Sequence, residues 1–283
     1  MITFPCSKIN LGLDIVSKRP DGYHNLETVF YPIPLEDALE ITVNDRPDAP
    51  DCTFTMHNAC FGGSDEDNLV VKAYRILAAD HQLPKVEISL YKNIPTGAGL
   101  GGGSSDAAFA LKMLNTIGSL NLSDEQLEEY AARIGADCAF FIRCTPSLAT
   151  GIGNILTPVE CPLQGYHLVL VKPDVSVSTK EAYEAFDTCT DIRHPDCSAM
   201  LHAAANADFD GILSNVGNVF EQFIEVPQRA EIKAVMRECG SLACCMSGSG
   251  PTVFGIFDSE EKAKECVAAI PEKLGKAFLT RPI

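Results

Sequence analysis

A glycine-rich stretch lies in the first half of the sequence. Residues 97–105 hold five glycines and two serines, and apolar residues at helical spacing follow, among them Ala107, Ala108 and Leu111. Glycine allows backbone N–H groups to approach a ligand closely, and the amino end of a helix favours negative charge. The stretch therefore predicts a loop that binds phosphate at the start of a helix.

Two common phosphate-binding loops fit this pattern poorly. A Walker A loop has lysine after its last glycine, whereas Ser104 stands there in this chain. Residues 97–102 match G-x-G-x-x-G, but a dinucleotide site also needs a second strand after the helix, ending in an acidic residue. Asp124 and Glu125 lie near that distance but fall in the first turn of another predicted helix. Both classes are disfavoured.

Two charged residues elsewhere are candidates for chemistry. Lys8 lies in a segment where Ile9, Leu11, Leu13 and Ile15 alternate with other residues, which predicts a strand with one buried face and places Asn10 beside Lys8 on the other face. Asp137 lies in a Gly-Ala-Asp segment. Taken alone, each charge is better explained as a solvated surface residue, because Lys and Asp side chains are usually exposed.

The composition of the 283 residues excludes several kinds of partner. The hydrophobic content of 46% fits a folded protein, while the net charge of −16 argues against nucleic acid and anionic membranes as partners. The sequence has no apolar run of the roughly 20 residues that cross a bilayer, which predicts a cytoplasmic protein. The 12 cysteines form no C-x-x-C pair and are expected to be buried, reduced thiols.

The elements that position these residues follow from periodicity and capping. Strands are predicted for residues 26–33 and 38–44 as a meander with the Lys8 strand, and again for 86–90. Asn68 and Ser123 are expected to cap helices, the second through a capping box with Gln126. Beyond residue 160, a β-α-β-β-α-β order with extra helices between 178 and 224 predicts a ferredoxin-like arrangement. We therefore expect two domains, 1–160 and 161–283.

Four segments together resemble one protein family. PTGAGLGGGSSDAA resembles the phosphate loop of the GHMP kinase superfamily (galactokinase, homoserine kinase, mevalonate kinase and phosphomevalonate kinase). With SKINLGLDIVSKRPDGYHNLETVF, GADCAFFI and MSGSGPTVFGIF, the likeness narrows to the cytidylyl-methylerythritol kinases of the non-mevalonate isoprenoid pathway. Cys6 and Ser7 depart from the Ala-Pro-Ala run usual before this lysine, and neither position carries the chemistry.

The resemblance implies an α+β fold of two domains. The N-terminal domain would be ribosomal-protein-S5-like and the C-terminal domain ferredoxin-like, with the active site in the cleft between them. The implied reaction transfers the γ-phosphoryl group of ATP, with Mg²⁺, to the 2-hydroxyl of 4-diphosphocytidyl-2-C-methyl-D-erythritol. Such a reaction depends mainly on positioning and charge stabilisation. Magnesium ligands and the choice between monomer and homodimer stay open.

The resemblance also assigns roles to individual residues. Asp137 would accept the hydroxyl proton, and Lys8 would orient both reacting groups and hold Asp137 ionised. The ATP-binding residues would be Asn68, Pro95, Gly97, Ala98, Gly99, Leu100, Gly101, Gly102, Gly103, Ser104 and Ser105. The substrate-binding residues would be Asn10, Tyr23, His24, Thr179 and Tyr183, of which Tyr23 and His24 would hold the cytosine. Asn68 is explained equally well as a helix cap.

Two alternatives to this function remain at the level of sequence. The first is another small-molecule GHMP kinase, such as a homoserine or mevalonate kinase, against which Tyr23 and His24 argue. The second is a non-catalytic nucleotide sensor of the same fold. A sensor has no need for both Lys8 and Asp137, so their joint presence disfavours it. No nucleic acid or membrane partner is expected in any of the three cases.

Overall fold

The computed structural model describes residues 1–59 and 62–282. In chain order the strands are β1 (Ile2–Thr3), β2 (Cys6–Lys18), β3 (His24–Glu36), β4 (Ala38–Val43), β5 (Cys52–His57), β6 (Val86–Tyr91), β7 (Ser147–Thr150), β8 (Ile155–Pro158), β9 (His167–Lys172), β10 (Gly217–Asn218), β11 (Ala243–Met246), β12 (Val253–Phe257) and β13 (Lys276–Thr280). The helices are α1 (Leu69–Asp80), α2 (Gly102–Ile117), α3 (Asp124–Ile134), α4 (Phe140–Arg143), α5 (Thr179–Asp187), α6 (Cys197–Ala205), α7 (Phe209–Ser214), α8 (Arg229–Glu238) and α9 (Glu260–Ala269).

The chain packs into two compact units that are discontinuous in sequence. The first unit consists of Met1–Ser7, Leu35–Thr96 and Gly101–Thr145, and the second of Lys8–Pro34, Gly97–Leu100 and Pro146–Ile283. The glycine loop therefore passes from the second unit to the first after Leu100. The boundary expected at residue 160 stays a prediction, because these units are defined by packing and not by chain order.

The first unit holds a sheet of order β1-β4-β6-β5 with helices α1 to α4. Its helix starts agree with the sequence: the Asn68 side chain accepts from the N–H of Val70, and Ser123 with Gln126 forms the expected capping box. Helix α2 begins after Gly101, whose φ of 72° is the left-handed conformation that favours glycine. The local capping predictions are confirmed because they depend on neighbouring residues alone.

The expected meander of the first strands is wrong in one respect. Only Asp37 separates β3 from β4, yet β3 belongs to a sheet of order β10-β2-β3-β7-β8 and β4 to the sheet of the first unit. The buried Asp37 carboxylate accepts from the backbone N–H groups of Asn93 and Ile94, which holds the chain where it leaves β3. Periodicity cannot reveal such a change of sheet, because both strands keep their alternation.

Strand β2 also differs from expectation, since residues 5–15 are buried on both faces. The face that carries Lys8 and Asn10 was expected to be open. Within the second unit it is covered by Ser247, which contacts Asn10, and by α6, whose Cys197 sulfur lies 3.0 Å from the position of a Cβ on Gly12. Polar side chains on this strand therefore need partners inside the protein.

The second unit carries the ferredoxin-like arrangement that the sequence predicts. Strands β9, β11, β12 and β13 pair in the order β11-β12-β9-β13, with antiparallel neighbours such as Phe254 opposite Leu170. Helices α8 and α9 contribute Ile232, Met236, Ala263 and Cys266 to the core over this sheet. The extra helices expected between 178 and 224 are α5, α6 and α7.

The cysteines include one pair whose sulfur atoms meet. The sulfur atoms of Cys6 and Cys144 lie in contact in the first unit, where β2 starts and α4 ends, but their Cα atoms are 8.0 Å apart, farther than an ordinary disulfide spans. Reduced thiols stay a prediction for this pair. Buried Cys138 and Cys197 are free, and burial raises the pKa of each thiol to about 12.

In the described ranges, no helix is long and apolar enough to cross a membrane.

Candidate active site

Lys8 is held close to the glycine loop within the second unit. Its side chain is buried, its ammonium donates to Oδ1 of Asn10 at 2.7 Å, and it lies 4.6 Å from the centre of the Phe30 ring. The Lys8 backbone N–H donates to the Leu100 carbonyl at 3.0 Å. A buried ammonium with a hydrogen bond and an aromatic face beside it keeps a defined position. Lys8 and Asn10 are neighbours as predicted, and the structure adds the contact of Lys8 with Leu100 of the glycine loop.

The turn at residues 247–250 contacts both the Lys8 strand and the glycine loop. The Ser247 hydroxyl accepts from the Asn10 N–H at 3.3 Å and donates to the Gly99 carbonyl at 2.8 Å. The Asn218 side-chain amide donates to the carbonyls of Met246 and Gly248 at 2.7 and 2.8 Å. Strand, loop and turn therefore form one hydrogen-bonded arrangement in the second unit.

Gly99 is required at its position by packing as well as by conformation. Its φ is +75°, and a Cβ there would overlap the backbone carbonyl of Ser247. Gly103 differs, since the nearest atom to a Cβ there is the Leu69 Cδ1 at 3.9 Å and its position is exposed in the first turn of α2. The two glycines therefore serve different purposes: Gly99 packs closely, whereas Gly103 leaves the backbone accessible.

We expect Gly99→Ala to destabilise the protein by about 2 to 4 kcal/mol. The added methyl group would overlap the Ser247 carbonyl, and alanine is strained at the left-handed φ of this position. Gly103→Ala is the matched control and should leave the free energy of unfolding unchanged or slightly raised, because alanine favours a helix. Urea denaturation of both variants measures the difference. Equal stabilities would show that the Gly99 contact is not needed for folding.

The rest of the loop divides between buried and accessible positions. Ala98 and Leu100 have buried side chains, so a ligand can meet only their backbone. Gly97 is exposed, and Ser104 is half-buried. Ser105 is fully buried, its N–H donates to the Gly101 carbonyl, and its hydroxyl has no hydrogen-bond partner among the described residues. Ser105 therefore faces the interior in this structure, and Ser104 is the accessible serine.

Ser104 and Asp137 are neighbours in the first unit. Asp137 lies half-buried in the turn at residues 136–139 before α4, and the next residue, Cys138, hydrogen-bonds the Ser104 hydroxyl. The first turn of α2 and the Gly-Ala-Asp turn are thus linked by side chains. Within residues 1–59 and 62–282, no three His, Cys, Asp or Glu side chains form a metal-binding group.

A buried ionic triad lies under the start of α2. The Lys92 ammonium donates to Asp37 and, at 2.6 Å, to Asp106, and it lies 3.4 Å from the position of a Cβ on Gly102. Burial raises the pKa of the Asp106 carboxyl to about 7; the Lys92 charge opposes this rise and the Asp37 charge adds to it. Burial acts to lower the pKa of Lys92, but the charges of Asp106 and Asp37 outweigh it and raise that pKa.

This triad makes stability depend on pH with a definite sign. Because the pKa of Asp106 is higher in the folded protein than its ordinary value of 3.8, folding binds a proton between about pH 4 and 7. Asp106 therefore costs stability as the pH rises through that window. We expect Asp106→Asn to be more stable than the wild type at pH 8 by a few kcal/mol, because each tenfold change in proton affinity corresponds to about 1.4 kcal/mol. The advantage should be lost at pH 4.

Chemical denaturation at both pH values tests this expectation. Asp48→Asn is the matched control, because Asp48 is exposed in the same unit. A difference between Asp106→Asn and wild type that is the same at pH 4 and pH 8 would contradict the raised pKa.

The two remaining ATP-binding candidates flank this region in the first unit. Asn68 is 8% exposed, and its Oδ1 accepts from the Val70 N–H at 2.9 Å, so its role as a helix cap is confirmed. Its approach to adenine stays a prediction. Pro95 is half-buried directly before the glycine loop.

The cytosine candidates occupy two different settings in the second unit. Tyr23 is 61% exposed at the end of the turn that Gly22 allows with a φ of +87°. His24 is buried, with its ring stacked on Tyr183 at 4.9 Å and its Nε2 2.8 Å from Asp187 Oδ1. One face of His24 is therefore occupied by Tyr183, and Tyr23 offers the accessible aromatic face.

Neighbouring charges and hydroxyls complete this region. Lys18 pairs with Asp187 at 2.6 Å, and the hydrogen bonds from Lys18 and His24 lower the pKa of the Asp187 carboxyl. Thr179, the first residue of α5, hydrogen-bonds Ser249 of the 247–250 turn at 3.0 Å. The structure thus connects Thr179 with the turn that also contacts Asn10.

The chain matches known proteins in sequence and in structure. The family model for the N-terminal domain of GHMP kinases matches residues 68–144, and the model for their C-terminal domain matches residues 200–276. The 4-diphosphocytidyl-2-C-methyl-D-erythritol kinase of Bacteroides fragilis is 54% identical over 267 residues, which cover 93% of this chain and 94% of the relative. The chain belongs to the 4-diphosphocytidyl-2-C-methyl-D-erythritol kinases of the GHMP family.

A further relative and a solved structure support this assignment. The corresponding kinase of Porphyromonas gingivalis is 43% identical over 96% of the chain and 97% of the relative. A crystal structure of a 4-(cytidine 5'-diphospho)-2C-methyl-D-erythritol kinase superimposes with a TM-score of 0.79 at 30% identity, covering 100% of both chains. A homoserine kinase from Cytophaga hutchinsonii, with a TM-score of 0.72 at 18% identity over 98% of this chain and 95% of that one, shows the shared fold alone.

Several residues of this kinase that contact the candidate site were not found from sequence. Thr28 bonds Asn10, Asp187 bonds His24, and Lys92 joins Asp37 to Asp106. Thr28 and Lys92 carried a weak signal, since each is a polar residue in or next to an apolar strand. Asp187 lies 163 residues from His24 in the sequence, and no local pattern predicts that the two side chains pair.

Proposed function

We propose that this kinase transfers the γ-phosphoryl group of ATP to the 2-hydroxyl of 4-diphosphocytidyl-2-C-methyl-D-erythritol, giving the 2-phosphate and ADP. The observation that carries the proposal is the buried Lys8, whose backbone N–H bonds the glycine loop and whose ammonium is fixed by Asn10. Phosphoryl transfer needs a cation at a defined position beside the phosphate loop, because charge stabilisation dominates the reaction.

Lys8 and Asp137 take separate roles in this proposal. The Lys8 ammonium stabilises negative charge on the transferring phosphoryl group, which a buried cation does more effectively than an exposed one. The Asp137 carboxylate accepts the proton of the acceptor hydroxyl as general base. Its half-buried place in the turn before α4 supports this role, because a base must reach its substrate.

ATP would bind through the backbone of the glycine loop and the first turn of α2. Exposed Gly97 and Gly103 leave N–H groups open to phosphate, and the amino end of a 16-residue helix favours the negative charge. Mg²⁺ prefers oxygen ligands and keeps phosphate oxygens and water in its coordination shell. The Ser104 hydroxyl is an accessible oxygen donor in the first turn of α2 and fits such an ion, which would neutralise phosphate charge.

The cytidine end would be recognised in the second unit. Tyr23 would stack on the base, and His24, positioned by Asp187, would supply a hydrogen bond at the ring edge. Tyr183, Thr179 and Asn10 would complete the substrate contacts. The enzyme is expected to work in the cytoplasm, where ATP is available.

The proposal is tested by measuring ADP release with Mg-ATP and separate acceptors. Turnover is expected with 4-diphosphocytidyl-2-C-methyl-D-erythritol and not with homoserine, mevalonate or galactose. Turnover only with another acceptor would overturn the substrate and keep the kinase. ATP binding without turnover on any acceptor would favour a nucleotide sensor of the same fold.

A further inference from the structure

Thr28 joins two residues of the Lys8 strand from the neighbouring strand β3. It is 1% exposed, its hydroxyl oxygen lies 2.7 Å from Asn10 Nδ2, and the hydroxyl donates to the Gly12 carbonyl at 2.6 Å. Asn10 in turn accepts from the Lys8 ammonium through Oδ1 at 2.7 Å. All four groups belong to the second unit. A continuous chain of hydrogen bonds therefore runs from Lys8 to Gly12.

The chemistry of its two ends sets the direction of every bond in this chain. An ammonium group can only donate, so the Asn10 atom facing Lys8 must be the oxygen. A carbonyl can only accept, so Thr28 must give its single proton to Gly12. The Thr28 oxygen is then left to accept, and the Asn10 amide nitrogen faces it. Either end alone predicts the same orientation of the amide.

Ser247 does not replace Thr28 in this arrangement. Its hydroxyl accepts from the Asn10 backbone N–H and donates to the Gly99 carbonyl at 2.8 Å, while its distance to Asn10 Oδ1 is longer, 3.4 Å. Ser247 therefore holds the Asn10 backbone and the loop. The contact to the amide nitrogen comes from Thr28.

We propose that Thr28 is a positioning residue for Lys8. By accepting from Asn10 Nδ2 it keeps Oδ1 turned toward the ammonium, and so fixes where the positive charge stands during phosphoryl transfer. This inference rests on the proposed role of Lys8. Residues that orient a metal ligand through a hydrogen bond affect activity by about 10- to 100-fold, and we expect an effect of that size for a residue that orients the partner of Lys8.

Thr28→Val removes the hydroxyl and keeps the shape of the side chain. We expect kcat to fall about 10- to 100-fold while both KM values stay within about threefold, since the lost interaction acts on the transferring group. Thr28→Ser retains the hydroxyl and should restore kcat to within a few-fold. Thr55→Val, at an exposed position of β5, is the matched control for a strand threonine. Unchanged kcat in Thr28→Val would overturn the inference.

A double-mutant cycle separates positioning from a structural role. In a Lys8→Met background, adding Thr28→Val should lower kcat by no more than about twofold, because the group it positions is gone. An equal fall in both backgrounds would overturn the inference. If Lys8→Met itself leaves kcat unchanged, the proposed role of Lys8 fails as well. If Lys8→Met lowers kcat and Thr28→Val does not, only the inference fails.

The wild-type protein offers a measurement that does not depend on a variant folding. In protein labelled with ¹⁵N-asparagine, the side-chain amide protons of Asn10, assigned by their loss in Asn10→Ser, should exchange slowly with solvent, because one is donated to a buried oxygen. Rapid exchange of both protons would show that Thr28 does not hold the amide.

Discussion

Asp137→Asn is expected to lower kcat by about 10² to 10⁴-fold while the dissociation constant for ATP changes by less than about threefold. A carboxamide keeps the shape of the aspartate but cannot accept the hydroxyl proton. The turn that carries Asp137 is anchored by the buried Cys138 and Ala139, so the substitution should not displace it. Steady-state ADP release and calorimetric ATP binding measure the two quantities.

Asp124→Asn provides the control for this experiment. Asp124 is an exposed carboxylate of the same unit, in the first turn of α3, and its loss should leave kcat unchanged. Near-normal turnover in Asp137→Asn would mean that phosphoryl transfer proceeds without this base, and the assignment of Asp137 would be wrong.

Lys8→Met is expected to lower kcat by about 10² to 10³-fold, the effect of removing one preorganised group that stabilises transition-state charge. Methionine matches the length of the lysine side chain and packs against Phe30 without a charge. The substitution removes the buried donor of Asn10 Oδ1, so we expect a loss of about 1 to 3 kcal/mol in stability, and kcat is compared well below the melting temperature of each protein. Low activity in a protein that is still folded would therefore report on catalysis.

Lys264→Met controls for the loss of a positive charge in the same unit. Lys264 lies on the exposed side of α9, where it pairs with Glu260 at 2.8 Å, and its replacement should not affect kcat. A Lys8→Met enzyme with kcat within tenfold of the wild type would show that the ammonium does not act in the transfer step.

Local patterns predicted much of the fold and part of the site. The caps at Asn68 and Ser123 were found because their hydrogen bonds close within three residues. The strand that carries Lys8 and the helix after the glycine loop were found from periodicity and glycine content. The ferredoxin-like order of β9, β11, β12 and β13 with their helices was found in the same way.

Other features depended on contacts between distant residues. The change of sheet at Asp37 rests on hydrogen bonds to residues 56 and 57 positions away, and the contact between the sulfur atoms of Cys6 and Cys144 spans 138 positions. The second buried face of β2 depends on α6 and on Ser247, which follow much later in the chain. The alternation of residues in β2 does not predict that its second face is buried.

The sequence by itself determined the types of most elements and predicted a phosphate loop, because these depend on residue type and short spacing. Lys8 and Asp137 became candidates through the resemblance to a kinase family. Only the tertiary structure decided which side chains hold those candidates in place. Thr28 reaches Asn10, Asp187 reaches His24, and Lys92 reaches Asp37 and Asp106 through strand pairing and packing. Such pairings are set by the register of whole elements, and the residues next to each partner in the chain carry no information about it.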